Sequence, residues 1–106
     1  MTHTIRIADD FSPTPAGRFV TDGPFSGERF RDEFLVPALK AHDEVEVDLS
    51  GVFGFGSSFL EETFGGLVRK CLFKKTDLLK KMRIKSSLKT YENKVWQYIK
   101  EAKPEC

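Results

Sequence analysis

Ser57 and Ser58 close a run in which glycine alternates with aromatic and branched residues, Ser50-Gly51-Val52-Phe53-Gly54-Phe55-Gly56, and they stand just before an apolar helical stripe. A serine at a helix start accepts a hydrogen bond from the free backbone N–H groups there, which is worth ~0.5–2 kcal/mol. Those N–H groups and the positive end of the helix dipole can also hold an anion. The glycines do not make a nucleotide site. Gly54-Phe55-Gly56-Ser57-Ser58-Phe59 lacks the last glycine of G-x-G-x-x-G, and no Gly-Lys-Ser/Thr follows.

Phe53 and Phe55 sit two residues apart, and an extended backbone there turns one ring outward. An exposed aromatic on a loop suits a protein contact. Equally, both rings can cap the end of the sheet as core. Other groups give no catalytic set. His3 and His42 have no metal-ligand spacing and read as surface histidines. Cys71 falls on the apolar stripe of a helix and reads as a buried, inert thiol. Asp9 and Asp10 are adjacent acids without a partner base. No enzyme activity, cofactor or metal is expected.

The elements that must position these residues follow from periodicity. Thr4 to Asp9 places Ile5 and Ile7 on one side, the pattern of a half-buried strand. Arg18 to Thr21, with Phe19 and Val20, is expected to be a second strand, closed by Asp22-Gly23-Pro24. Ser26 caps a helix carrying Phe30, Phe34 and Ala38, which Pro37 should kink or stop near Val36. Glu44 to Leu49 alternates Val45, Val47 and Leu49 against acids, giving a third strand.

Leu60, Phe64, Leu67, Val68 and Cys71 form the stripe of a core-facing helix, with Glu61 and Glu62 in its early turns where the dipole favours acids. Gly65-Gly66 weakens this helix by ~1 kcal/mol per glycine relative to alanine. Either the helix bends there or another backbone packs close. Lys80 to Lys85 suggests a last strand, and Leu88, Tyr91, Val95, Tyr98, Ile99 and Ala102 line a final helix ended by Pro104. The expected fold is a single α/β domain over residues 1–106, a small mixed sheet of about four strands with three helices in the order β-β-α-β-α-β-α.

The totals agree with one small domain. The chain has 106 residues, enough to bury one core but no large substrate cavity. Seventeen basic residues against sixteen acidic leave a net charge of +1, too little for general attraction to nucleic acid or anionic lipid. The basic segment Lys70, Lys74, Lys75, Lys80, Lys81, Arg83, Lys85 and Lys89 has no interleaved aromatics and reads as a solvated face. Two cysteines, Cys71 and Cys106, make no disulfide framework, so a reducing compartment is expected. With no apolar run long enough to cross a bilayer and no leader pattern, the expected localisation is cytoplasmic.

Asp48-Leu49-Ser50-Gly51-Val52-Phe53-Gly54-Phe55-Gly56-Ser57-Ser58 resembles the signature of STAS domains, the fold of anti-sigma-factor antagonists and of sulfate-transporter cytoplasmic tails. There a strand ends in Asp-Leu-Ser, and a loop leads to Asp-Ser-Ser-Gly at a helix start. The closer resemblance is to uncharacterised bacterial STAS-like proteins, carried by Ser26-Gly27-Glu28 and by the run Ser57-Ser58-Phe59-Leu60-Glu61-Glu62-Thr63-Phe64-Gly65-Gly66-Leu67. It spans roughly residues 4–103. Gly56 stands where the signature has Asp and Phe59 where it has Gly, and the final strand and helix of a full STAS domain are missing.

The resemblance implies a non-enzymatic regulatory module whose partner is a kinase-like ATPase or a regulator it controls. It implies Ser57 as the phospho-acceptor, and docking through Phe53, Phe55, Gly56, Ser57, Ser58 and Phe59. Against this stands Ser57 or Ser58 as a helix cap alone. An alternative function is a small-anion or nucleotide sensor at the same helix start, with Arg18 or the basic segment completing the site.

Overall fold

The computed structural model describes residues 2–106. Among them, three strands form one sheet in the order β1 (Thr2–Arg6), β2 (Glu44–Asp48), β3 (Met82–Lys85), with both pairings parallel. Ile5 lies opposite Val47, and Val47 opposite Ile84. Val45 and Val47 are fully buried, as the alternation predicts.

Four helices accompany the sheet. Helix α1 covers residues 27–41 as Gly27–Phe30, a wide π-type turn Arg31–Leu35, and Val36–Ala41. Ser26 caps it, its hydroxyl accepting from the Arg29 N–H at 3.2 Å. Pro37 does not stop this helix. The π turn just before it changes the hydrogen-bond spacing where proline has no N–H to give, and the helix runs on to Ala41. Helix α2 covers residues 57–69 with a second π turn, Glu61–Gly65. Helix α3 (Lys75–Lys81) leads into β3, and α4 (Lys89–Glu101) follows it.

The four-strand mixed sheet is therefore corrected to a three-strand parallel one. Arg18 to Thr21 is not a strand, and Val20–Asp22 is a short 3-10 turn. Its backbone donors are taken locally: the Asp22 carboxylate accepts from the N–H of Arg18 and Phe19, and Glu28 accepts from that of Val20. Side chains that satisfy a backbone in this way compete with a sheet ladder. The first strand is also shorter than expected. It ends at Arg6, and Ile7–Phe11 forms a helical turn that keeps Ile7 in the core.

The core gathers Ile5, Ile7, Phe30, Leu35, Leu39 and Phe64 with the inner faces of α2 and α4. Gly27 explains how α1 and α2 pack. A Cβ on Gly27 would lie 2.6 Å from the Phe59 carbonyl oxygen and 2.9 Å from Thr63 Oγ1, so only glycine admits this approach. Gly65 and Gly66 also mark close packing, not a bend alone: Cβ atoms there would collide with the Glu61 carboxylate and the Arg31 guanidinium. No helix among the described residues is long and apolar enough to cross a membrane.

Candidate functional site

All three strands end at the same edge of a parallel sheet, the usual location of sites in open α/β folds. From the carboxyl end of β2 the chain turns because the Asp48 carboxylate accepts the Ser50 N–H at 2.9 Å. Gly51 follows at φ +85°, with a hypothetical Cβ 3.2 Å from that of Ala8, so both conformation and space call for glycine. The Phe53 N–H donates to the Pro13 carbonyl at 2.9 Å and ties this loop to the segment after Phe11.

The two loop aromatics then part company. Phe53 is 87% exposed. Phe55 is half-buried, its ring 5.8 Å from Phe59 and 5.2 Å edge-on from Tyr91. Phe59 itself is fully buried, packed against Phe11 and Phe30, which removes it from any docking surface. Its ring anchors α2 beneath the loop. Leu88, expected on the buried stripe of the last helix, is instead exposed just beyond β3, at the same edge as the loop.

Helix α2 begins at Ser57, but neither serine is its cap. Gly56 holds the cap position with extended backbone and offers no side chain, while Ser57 is the first helical residue, exposed, and Ser58 is half-buried. The Ser57 hydroxyl therefore faces solvent without a capping duty.

Sequence reasoning missed the charged cluster one turn further along. Arg31, wholly buried, donates to both the carboxylate and, at 3.0 Å, the carbonyl of Glu62, and to Asp32 at 2.9 Å. Arg69 reaches Glu61 at 2.7 Å and Glu62 at 3.0 Å, and Arg18 pairs with both acids. Burial alone would raise the Glu61 pKa, but the hydrogen bonds from Arg69 and Arg18 prevail and hold it below its ordinary value. Bonding to Glu61 likewise raises the Arg18 and Arg69 guanidinium pKa values against the opposing effect of burial.

The readable signal was Glu61-Glu62 placed two helical turns before Arg69, with Gly65-Gly66 clearing the space between. This cluster binds the segment carrying Arg18 and helix α1 to helix α2. It also occupies Arg18, one of the two groups offered to complete an anion site; the other, the basic segment, lies outside this cluster.

His3 and His42 are exposed yet stacked, their rings 4.2 Å apart and nearly parallel. Among the described residues no three His, Cys, Asp or Glu side chains are placed to hold a metal ion. Cys71 is corrected outright. It is exposed, not buried, and joined to Cys106. The helix ends at Arg69, two residues earlier than the stripe predicts, so position 71 turns away from the core.

Residues 26–92, well over half of the chain, match the family described as STAS-like domain of unknown function (DUF4325). The chain belongs to this STAS-like family. No curated protein and no solved structure matches it. The matched span begins at the Ser26 cap and includes the Phe53 loop, Arg31, Glu61, Glu62 and Arg69 of the ion cluster, and β3, while Arg18 lies before it.

Proposed function

We propose that this STAS-like domain is a non-enzymatic regulatory module of the cytoplasm that docks a protein partner at the carboxyl edge of its sheet. The observation that carries the reading is Phe53, a large apolar ring 87% exposed on a loop pinned at Asp48, Gly51 and Pro13. A ring presented on a tethered loop loses little further freedom on binding, which favours it as an anchor. Phe55, Gly56, Ser57 and Ser58 follow it in the chain, and Leu88 is a second exposed apolar side chain just beyond the carboxyl end of β3. A kinase-like ATPase, or a regulator under its control, is the partner class that the family resemblance suggests.

Ser57 is the proposed switch. Its exposed hydroxyl on the first turn of α2 is open to a kinase, and a phosphate there adds roughly −1.5 to −2 charges beside the docking ring. Placing a photo-crosslinking phenylalanine analogue at position 53 in living cells tests the reading. One dominant adduct is expected, absent when the same group replaces Leu79, an exposed residue on the helix that enters the amino end of β3. Equal labelling from both positions would contradict it.

A further inference from the structure

We propose that Cys71 and Cys106 form a reversible redox latch that pins the segment after α4 against the end of α2. Cys71 and Cys106 are the chain's two cysteines, they are joined as a disulfide, and both residues are exposed. The bond adds nothing to the core, whose buried cluster ends at Ala102. It instead fixes residues 103–106, which bring Pro104 to the wall of a cleft shared with Val68, Leu72 and Phe73, and set the Glu105 N–H 2.8 Å from the Arg69 carbonyl.

A second observation points the same way. Cys71 has φ +57°, the left-handed conformation that favours glycine. It occupies the position just past a helix end where such a residue closes the turn: its own N–H donates to the Val68 carbonyl and that of Leu72 to the Leu67 carbonyl. Glycine would serve that turn better. Cysteine at this position supplies what glycine lacks, a sulfur at the helix end that joins Cys106.

The chemistry is thiol–disulfide exchange with a small or protein dithiol. One thiolate of the reductant attacks a sulfur of the Cys71–Cys106 bond, giving a mixed disulfide and one free cysteine. The reductant's second sulfur then closes onto the first and releases the other cysteine. Two electrons and two protons pass to the protein, and the reductant leaves as its own disulfide. Both cysteines are exposed residues, which favours exchange in the folded chain.

The test uses the oxidised 106-residue chain and dithiothreitol under native conditions. Two thiols per chain should become titratable without denaturant, the far-UV circular dichroism should stay unchanged, and oxidised glutathione should restore the bond. Hydrogen exchange at the Glu105 amide should speed at least tenfold on reduction while the β2 amides keep their protection. Cys71→Gly and Cys106→Ser both lack the bond, and Cys71→Gly should melt at the higher temperature because glycine relieves the left-handed position. Thiols that appear only after denaturation, loss of helical signal on reduction, or a Cys71→Gly variant that melts no higher than Cys106→Ser would each overturn the latch.

Discussion

Arg31 reaches from the π turn of α1 to the carboxylate of Glu62 in the π turn of α2, and the two side chains are only 0% and 3% exposed. Each wide turn lies in the middle of its helix, and the pair joins them where Gly66 leaves room for the guanidinium. Removing one partner of a buried ion pair costs about 3–5 kcal/mol, and without the Glu62 charge the wholly buried Arg31 keeps only the exposed Asp32 as an anionic partner. Glu62→Gln should therefore destabilise strongly in urea titrations. Replacing both partners, Arg31→Met with Glu62→Leu, should recover part of the loss.

Acid should weaken the same cluster through Glu61. Its folded pKa lies below its ordinary value of 4.5, so its contribution is fully present above that pH and is lost as pH falls through the depressed folded value. Thermal midpoints measured from pH 7 down to pH 3 should fall more steeply for the native chain than for Glu61→Gln.

Glycine positions give a contrast within one molecule. Gly27→Ala forces a methyl onto the Phe59 carbonyl and should cost ~1–3 kcal/mol, whereas Gly54→Ala enters open space and should change stability little. Parallel denaturant titrations of the two variants decide the point.

How far the sequence reveals this fold depends on whether a segment's neighbours are local. The alternation of Val45 and Val47 and the stripe Leu60, Phe64, Leu67, Val68 identify β2 and α2, because burial on one face imposes a period that needs no knowledge of the partner. Helix α3 escapes notice because it buries only Leu78 and leaves no stripe. Phe19-Val20 has strand propensity, but the carboxylates of Asp22 and Glu28 take its backbone donors first. At the site, the loop and the start of α2 are legible, while the burial of Phe59, the sealing of Arg31 and the pairing of Cys71 with Cys106 arise only from three-dimensional contacts.

Ser57 now separates cap from switch more cleanly than sequence alone allows. Because Gly56 is the cap, Ser57→Ala should leave stability within ~0.5 kcal/mol of the native chain, where loss of a cap would cost about 1 kcal/mol. Ser57→Asp places a negative charge in the first turn and should fold at least as stably, gaining ~0.3–1 kcal/mol from the dipole. Chemical denaturation checks both values, and a Ser57→Asp chain that folds well yet loses its partner identifies the switch.

The docking claim itself rests on Phe53, and the affinity of the crosslinked partner for Phe53→Asp tests it most directly. The ring touches solvent over most of its surface, so the variant should melt within about a degree of the native chain. Truncating an anchor residue costs about 2 kcal/mol or more of binding, at least a tenfold loss of affinity. Isothermal titration should show that loss for Phe53→Asp and none for Leu79→Asp. A Phe53→Asp chain that binds the partner with native affinity would contradict docking through this loop.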